Sequence, residues 1–129
     1  MSSSNVSLKV FLAEDSPAIV DRLHVLFGEA SMEVVGAAAT PDGAIDSILA
    51  LHPDVVVLDV QLDGGTGLQV LRAVRSADPS VAFVVFSNNA TSVYRKRYLR
   101  EGAARFLDKS SEFDQLPAAV ASASHRTVH

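Results

Sequence analysis

Short apolar runs and amphipathic stretches alternate along the chain five times. The apolar runs are Leu8 to Ala13, Met32 to Ala38, Val55 to Leu58, Val81 to Phe86 and Arg105 to Leu107. Each has the length of a strand, too short for a helix, and Val, Leu, Phe and Ala dominate them. Continuous apolar runs of this kind suit strands buried on both faces. Between them the apolar residues recur with helical spacing. Ile19, Leu23, Leu26 and Phe27 fall on one helix face, as do Ile45, Ile48 and Leu49. Leu68, Leu71 and Val74 mark a third helix, and Tyr94 and Tyr98 lie four apart on a fourth.

Local signals set the element ends. Thr40 reads as an N-cap with Pro41 at the first helical position. Gly102 reads as the C-cap of the fourth helix. Pro117 would break a helix interior, so the fifth helix is expected to start late, with Asp114 as its N-cap. His52-Pro53-Asp54 and Asp78-Pro79-Ser80 punctuate helix-to-strand turns. Five strands alternating with five helices predict an α/β fold, a doubly wound parallel sheet with helices on both faces. Residues 1–7 are expected to form a disordered polar lead-in, 8–124 one domain and 125–129 a C-terminal tail.

Composition narrows the function. The 129 residues suffice for one domain, and 48% are apolar, enough for a sizeable core. The absence of cysteine excludes disulfides and thiolate metal sites, and fits the cytosol. The start of the chain lacks a signal-peptide pattern, and no apolar run reaches the ~20 residues of a membrane span. A cytoplasmic domain without membrane contact is expected. A net charge of −4 argues against direct nucleic-acid binding. The histidines His24, His52, His125 and His129 are scattered and read as surface residues.

In doubly wound sheets ligands bind at the carboxyl ends of the strands. Here the first strand ends in Glu14 and Asp15, the third in Asp59 and the fourth in Ser87, while the fifth runs out near Asp108 and Lys109. Singly, each has an ordinary explanation: an acidic pair is a solvated turn, and an aspartate after a strand is a helix cap. Jointly, they place three carboxylates, a hydroxyl and an ammonium at one edge. Crowded carboxylates repel, and a divalent cation relieves the conflict. An all-oxygen donor set of this kind suits Mg²⁺. A carboxylate attacking phosphorus gives an acyl phosphate, with Lys109 and Ser87 available to the phosphoryl oxygens.

At FLAEDSP, VVVLDVQLDGGTGL, VVFSNN and EGAARFLDKS the sequence resembles the receiver domains of two-component response regulators, from about Lys9 to Ser122. The resemblance implies a flavodoxin-like sheet of strand order 2-1-3-4-5, with Asp59 as phosphoacceptor. It implies Mg²⁺ (or Mn²⁺) held by Glu14, Asp15, Asp59 and the backbone carbonyl of Gln61. Ser87 stands at the switch hydroxyl, Phe106 at the aromatic rotamer switch and Lys109 at the lysine of the site. Such a domain is no enzyme, though it assists its own phosphorylation and dephosphorylation. The implied partners are a sensor histidine kinase or phosphotransfer protein. The implied output is a changed surface of the fourth helix, fifth strand and fifth helix, engaging a partner or forming a homodimer. The alternative is a receiver fragment of a longer DNA-binding transcriptional regulator.

Several positions depart from the common pattern. Asp63 replaces a frequent proline, and Gly64, Gly65 and Gly67 are expected to loosen the loop after the acceptor. Ser110 follows Lys109 where proline is common, so a trans bond is expected. Asn88 replaces the usual small residue beside the switch hydroxyl. Tyr94, Arg95, Lys96, Arg97, Tyr98 and Arg100 make the fourth helix basic, either as a solvated face or as a partner or dimer surface. Two rival classes are disfavoured. An aspartyl phosphatase or mutase would want an acid where Gln61 stands. A nucleotide or flavin module would want a glycine-rich loop after the first strand.

Overall fold

A computed structural model of the chain describes residues 7–89 and 91–124. The expected tail, most of the lead-in, and His125 and His129 lie outside the described residues. Five parallel strands form the main sheet: β1 (Lys9–Ala13), β2 (Glu33–Ala38), β3 (Val55–Leu58), β6 (Ala82–Ser87) and β7 (Arg105–Asp108). Their order is β2-β1-β3-β6-β7, which is 2-1-3-4-5 when these five are counted along the chain. The order reverses between β1 and β3, which opens a crevice at their carboxyl ends.

Five helices cover the two faces: α1 (Pro17–Glu29), α2 (Pro41–Leu51), α3 (Gly67–Ala77), α4 (Ser92–Arg100) and α5 (Leu116–Ala123). Leu23 and Phe27 of α1, with Leu116, Ala119 and Val120 of α5, pack on Val10, Leu12, Val57, Val84 and Phe86. Ile48 of α2, Val70, Leu71 and Val74 of α3, and Tyr98 of α4 pack on Phe11, Val56, Leu58, Phe83, Val85 and Phe106. Successive strand residues thus feed opposite layers, as the two-residue repeat of a strand requires. No helix among the described residues is long and apolar enough to cross a membrane.

The local ends follow their chemistry, with some differences from expectation. Thr40 caps α2, its Oγ1 accepting from the Gly43 amide at 3.1 Å, with Pro41 in the first turn. The C-cap of α4 is Glu101, one residue before the expected glycine. Gly102 follows it with φ of 113°, a value that favours glycine. Asp114 does not cap α5. It lies within a 3-10 turn, Phe113–Gln115, that leads directly into the helix, and this shift sets Pro117 within the first turn of α5.

The loop after Asp59 is also different. Two two-residue strands, β4 (Gln61–Leu62) and β5 (Gly65–Thr66), pair antiparallel around Asp63 and Gly64. Asp-Gly is a favoured pair for so tight a turn, and Gly64 has φ of 81°. Gly67 approaches its neighbours closely: its amide donates to the Val60 carbonyl at 2.8 Å, and a Cβ there would collide with the Asp59 carbonyl. The glycines pin this loop rather than loosen it. The Lys109–Ser110 bond is trans, since there is no cis peptide among the described residues.

Candidate phosphoacceptor site

The backbone fixes the strand ends before any side chain acts. The Asp59 amide donates to the Ala13 carbonyl at 3.0 Å, tying the residue after β3 to the end of β1. The Glu14 amide donates to Ala38 at 3.0 Å, and the Lys109 amide to Ser87 at 3.0 Å. With the pairing of β3 to β6, these bonds bring the ends of β1, β3, β6 and β7 around one opening.

Glu14, Asp15, Ser16, Ile19, Asp59, Gln61, Ser87, Asn88, Asn89 and Lys109 line that opening, a cavity of about 460 Å³. Glu14, Asp15 and Asp59 each bring one carboxylate oxygen within 4.8 Å of the others. Glu14 and Asp59 are buried, and Asp15 is half-buried. The Lys109 ammonium reaches both buried acids, 2.6 Å from Glu14 Oε1 and 2.8 Å from Asp59 Oδ2. The Ser16 amide holds the other Glu14 oxygen at 3.0 Å. Three oxygen donors at this spacing, of which one cation compensates only part, fit a hard divalent ion.

The electrostatics carry the strain of the crowding. Burial pushes the Glu14 carboxyl above the ordinary glutamate range, against the pull of Lys109 and with help from the negative charge of Asp59. For Lys109, burial favours the neutral amine, but hydrogen bonds and charge from Asp59 and Glu14 outweigh it and hold the pKa above the usual lysine value. The ammonium stays charged and shared.

Ser87 is buried at the end of β6, its Oγ accepting from the Asn89 amide at 3.0 Å. The loop after Lys109 is braced by Asp108 Oδ1, which accepts from the Ser110 amide at 2.8 Å and its hydroxyl at 2.7 Å. Phe106 does not line the cavity. It is buried beneath α4, edge-on to Tyr98 at 6.1 Å between centroids. Arg95 Nη1 donates to the Phe106 carbonyl at 2.7 Å, and its guanidinium carbon lies 5.1 Å from the ring centroid. The chain pattern marked Arg95 only as part of a basic helix face and gave no hint of its hold on Phe106, because that contact spans eleven residues. The lining role of Asn89 and Ile19 was likewise unmarked, although Ser16-Pro17, an N-cap followed by a first-turn proline, locates the start of α1 beside them.

Comparison with known proteins agrees with this geometry. The family model described as "Response regulator receiver domain" matches residues 10–121. The transcriptional regulatory protein DesR of Bacillus subtilis is 29% identical over 116 residues, covering 89% of this chain and 57% of DesR. The DNA-binding transcriptional activator EvgA of Escherichia coli is 24% identical over 118 residues, covering 92% of this chain and 58% of EvgA. The chain thus spans little more than half the length of these curated relatives. Among solved structures, the signal receiver domain of NarL from Mycobacterium tuberculosis is 30% identical with a TM-score of 0.82, covering 93% of this chain and 98% of that one. CheY of Borrelia burgdorferi, solved with CheX, beryllofluoride and Mg²⁺, shares the fold at 21% identity, with a TM-score of 0.87 over 92% of this chain and 90% of that one.

Proposed function

The chain belongs to the response regulator receiver domain family, and from that premise we propose that Asp59 accepts a phosphoryl group from a histidine kinase or phosphotransfer protein. The observation that carries this is the shared cavity, in which Asp59 lies within 2.8 Å of Lys109 and within reach of Glu14 and Asp15. Glu14, Asp15, Asp59 and the Gln61 carbonyl would hold Mg²⁺ or Mn²⁺, which supplies charge neutralisation for an incoming anion. A carboxylate oxygen of Asp59 attacks phosphorus, forming a P–O bond as the P–N bond to the donor imidazole breaks. Lys109 holds one phosphoryl oxygen and Ser87 donates its hydroxyl to another. Orientation and charge neutralisation are most of what such a transfer needs.

The added charge, about −1.5 to −2, draws Ser87 and Lys109 towards Asp59. Space vacated by Ser87 admits Phe106, which lies on the adjacent strand, β7, packed against α4. The α4–β7–α5 surface then changes and meets a partner or a second copy. Reversing a 99:1 equilibrium needs ~5.5 kcal/mol, and charge-assisted hydrogen bonds at ~1.5–3 kcal/mol each suffice if a few form.

Acetyl phosphate with Mg²⁺ should yield one phosphoryl adduct by intact mass spectrometry, and Asp59→Asn should yield none. An adduct on that variant would place the acceptor elsewhere. A second reading, a receiver within a longer DNA-binding regulator, is favoured by the incomplete span of DesR and EvgA. The length of the natural transcript product decides it.

A further inference from the structure

The outward side of α4 has an unusual composition for this acidic chain. Four of its eleven Lys and Arg residues (Arg95, Lys96, Arg97 and Arg100) lie on this one nine-residue helix. Val93, Lys96, Arg97 and Arg100 follow the i, i+3, i+4, i+7 spacing of a single face, and all four are exposed. Arg95 is committed to Phe106, and Arg97 contacts Glu101 at 3.4 Å. Among the described residues Lys96 and Arg100 meet no carboxylate. Val93 is 76% exposed, and Tyr94 and Leu99 are each 42% exposed, so three of the five exposed large apolar residues among the described residues belong to this helix.

A two-fold dimer brings the same patch from both copies together. On this face that would set α4 cations against α4 cations or against α5, whose sequence LPAAVASA carries no charge. Arg105 on β7 is exposed and adds another cation. The nearby acids are already engaged: Glu101 by Arg72 at 2.9 Å, and Asp108 by Ser110 at 2.8 Å. Like charges juxtaposed across an interface disfavour the wrong partner.

We infer that the outward face of α4 docks an acidic, partly apolar protein segment and not a second copy of this chain. The apolar residues beside the cations favour a protein over a nucleic-acid backbone, which charge alone would satisfy. Arg95 links the face to Phe106, so docking strengthens when Phe106 turns inwards; this link rests on the function proposed above, whereas the partner's chemistry rests on α4 alone.

The test uses the full chain, with and without beryllofluoride and Mg²⁺. Its probes are a labelled amphipathic peptide of glutamate and leucine, the same peptide with glutamine for glutamate, duplex DNA, and anionic phosphatidylserine vesicles. The expected result is binding of the glutamate peptide that weakens with salt and falls at least about tenfold in the Lys96→Glu/Arg100→Glu double variant. The mass by sedimentation should stay that of one chain in both states. Equal binding of the glutamine peptide, tighter binding of DNA or vesicles, or a dimer abolished by the double variant overturns the inference. Beryllofluoride uptake, followed by fluorine NMR, separates the two ideas. Uptake without peptide binding sinks the docking surface alone, and peptide binding without uptake sinks the phosphoacceptor reading alone.

Discussion

Lys109 Nζ lies 2.6 Å from Glu14 Oε1, so the single cation of the pocket is shared with an acid other than the proposed acceptor. Its 2.8 Å contact with Asp59 completes a triad in which one positive charge balances two buried negative ones. Removing the cation leaves those charges uncompensated. Breaking a buried pair from one side costs on the order of 3 kcal/mol. Lys109→Met should therefore lower stability in urea by about that amount without metal, and Mg²⁺ should restore much of it. The same variant should bind Mg²⁺ more tightly and accept phosphate more slowly. Identical Mg²⁺ dependence of unfolding in the parent and the variant would sink the shared-cation account.

Gly67 and Gly28 give a paired test of how the loop after Asp59 is held. A Cβ on Gly67 would collide with the Asp59 carbonyl, whereas a Cβ on Gly28 meets nothing within 4 Å. Gly67→Ala should cost about 1–3 kcal/mol and slow phosphorylation from acetyl phosphate. Gly28→Ala, late in α1, should stabilise by about 0.5–1 kcal/mol and leave phosphorylation unchanged. Thermal melts and adduct formation rates read both. Equal effects from the two would mean that Gly67 does not position Asp59.

That contrast also marks the boundary of what the chain pattern discloses. Strands β1, β3 and β6 were legible because strands covered on both faces become unbroken apolar runs, as in Val55-Val56-Val57-Leu58, whereas the edge strand β2, with no fully buried residue, showed only through its short Val- and Ala-containing run. The convergence of Glu14, Asp15, Asp59, Ser87 and Lys109 on one cavity was legible because each ends or follows a strand, and strand ends converge in this topology. The β4–β5 hairpin was not, since two residues are too few to show a period. Nor could the spacing tell that Gly65 and Gly67 serve close approach: Gly65 abuts Gln69 and Pro41, and Gly67 abuts Asp59, contacts set by tertiary packing. Asp114 misled for a related reason. A good capping residue was displaced by a 3-10 turn that already supplies the helix entry.

Tyr98 offers a pH probe of the α4 contact. Burial on the inner face of α4 pushes its phenol up to about 12, with a backbone hydrogen bond from Leu68 acting in the opposite direction. The folded state therefore holds the phenolic proton more tightly than the unfolded chain does. This contribution is fully present below the unfolded value near 10.0 and is lost as pH rises towards 12. The chain has two tyrosines, so Tyr94→Phe leaves only Tyr98 to report. Its phenolate absorbance should rise near pH 12, and stability should fall by about 2 kcal/mol across that window. Ionisation of the variant at the value of free tyrosine would mean that Tyr98 is not buried in solution.

Two arginines tether α4, and their settings predict unequal importance. Arg72 of α3 grips Glu101 at the C-terminal end of α4 with bonds of 3.2 and 2.9 Å, but Arg72 is exposed and Glu101 only half-buried, so water screens the pair. Arg95 donates to the Phe106 carbonyl at 2.7 Å in a part-buried position and also lies over the Phe106 ring. A hydrogen bond from a charged donor contributes about 1.5 kcal/mol, and the ring contact adds about 0.5–1 kcal/mol. Arg95→Ala should therefore destabilise the chain by about 2 kcal/mol and raise amide hydrogen exchange in α4 and β7. Arg72→Ala should change neither measurably, because salt and solvent already weaken that pair. Freed of Arg95, Phe106 should reach the inward position proposed above more readily, so beryllofluoride should alter α4 exchange less in Arg95→Ala than in the parent. If the two variants behave alike, Arg95 is a surface residue and the path from Phe106 to the outer face of α4 runs through other contacts.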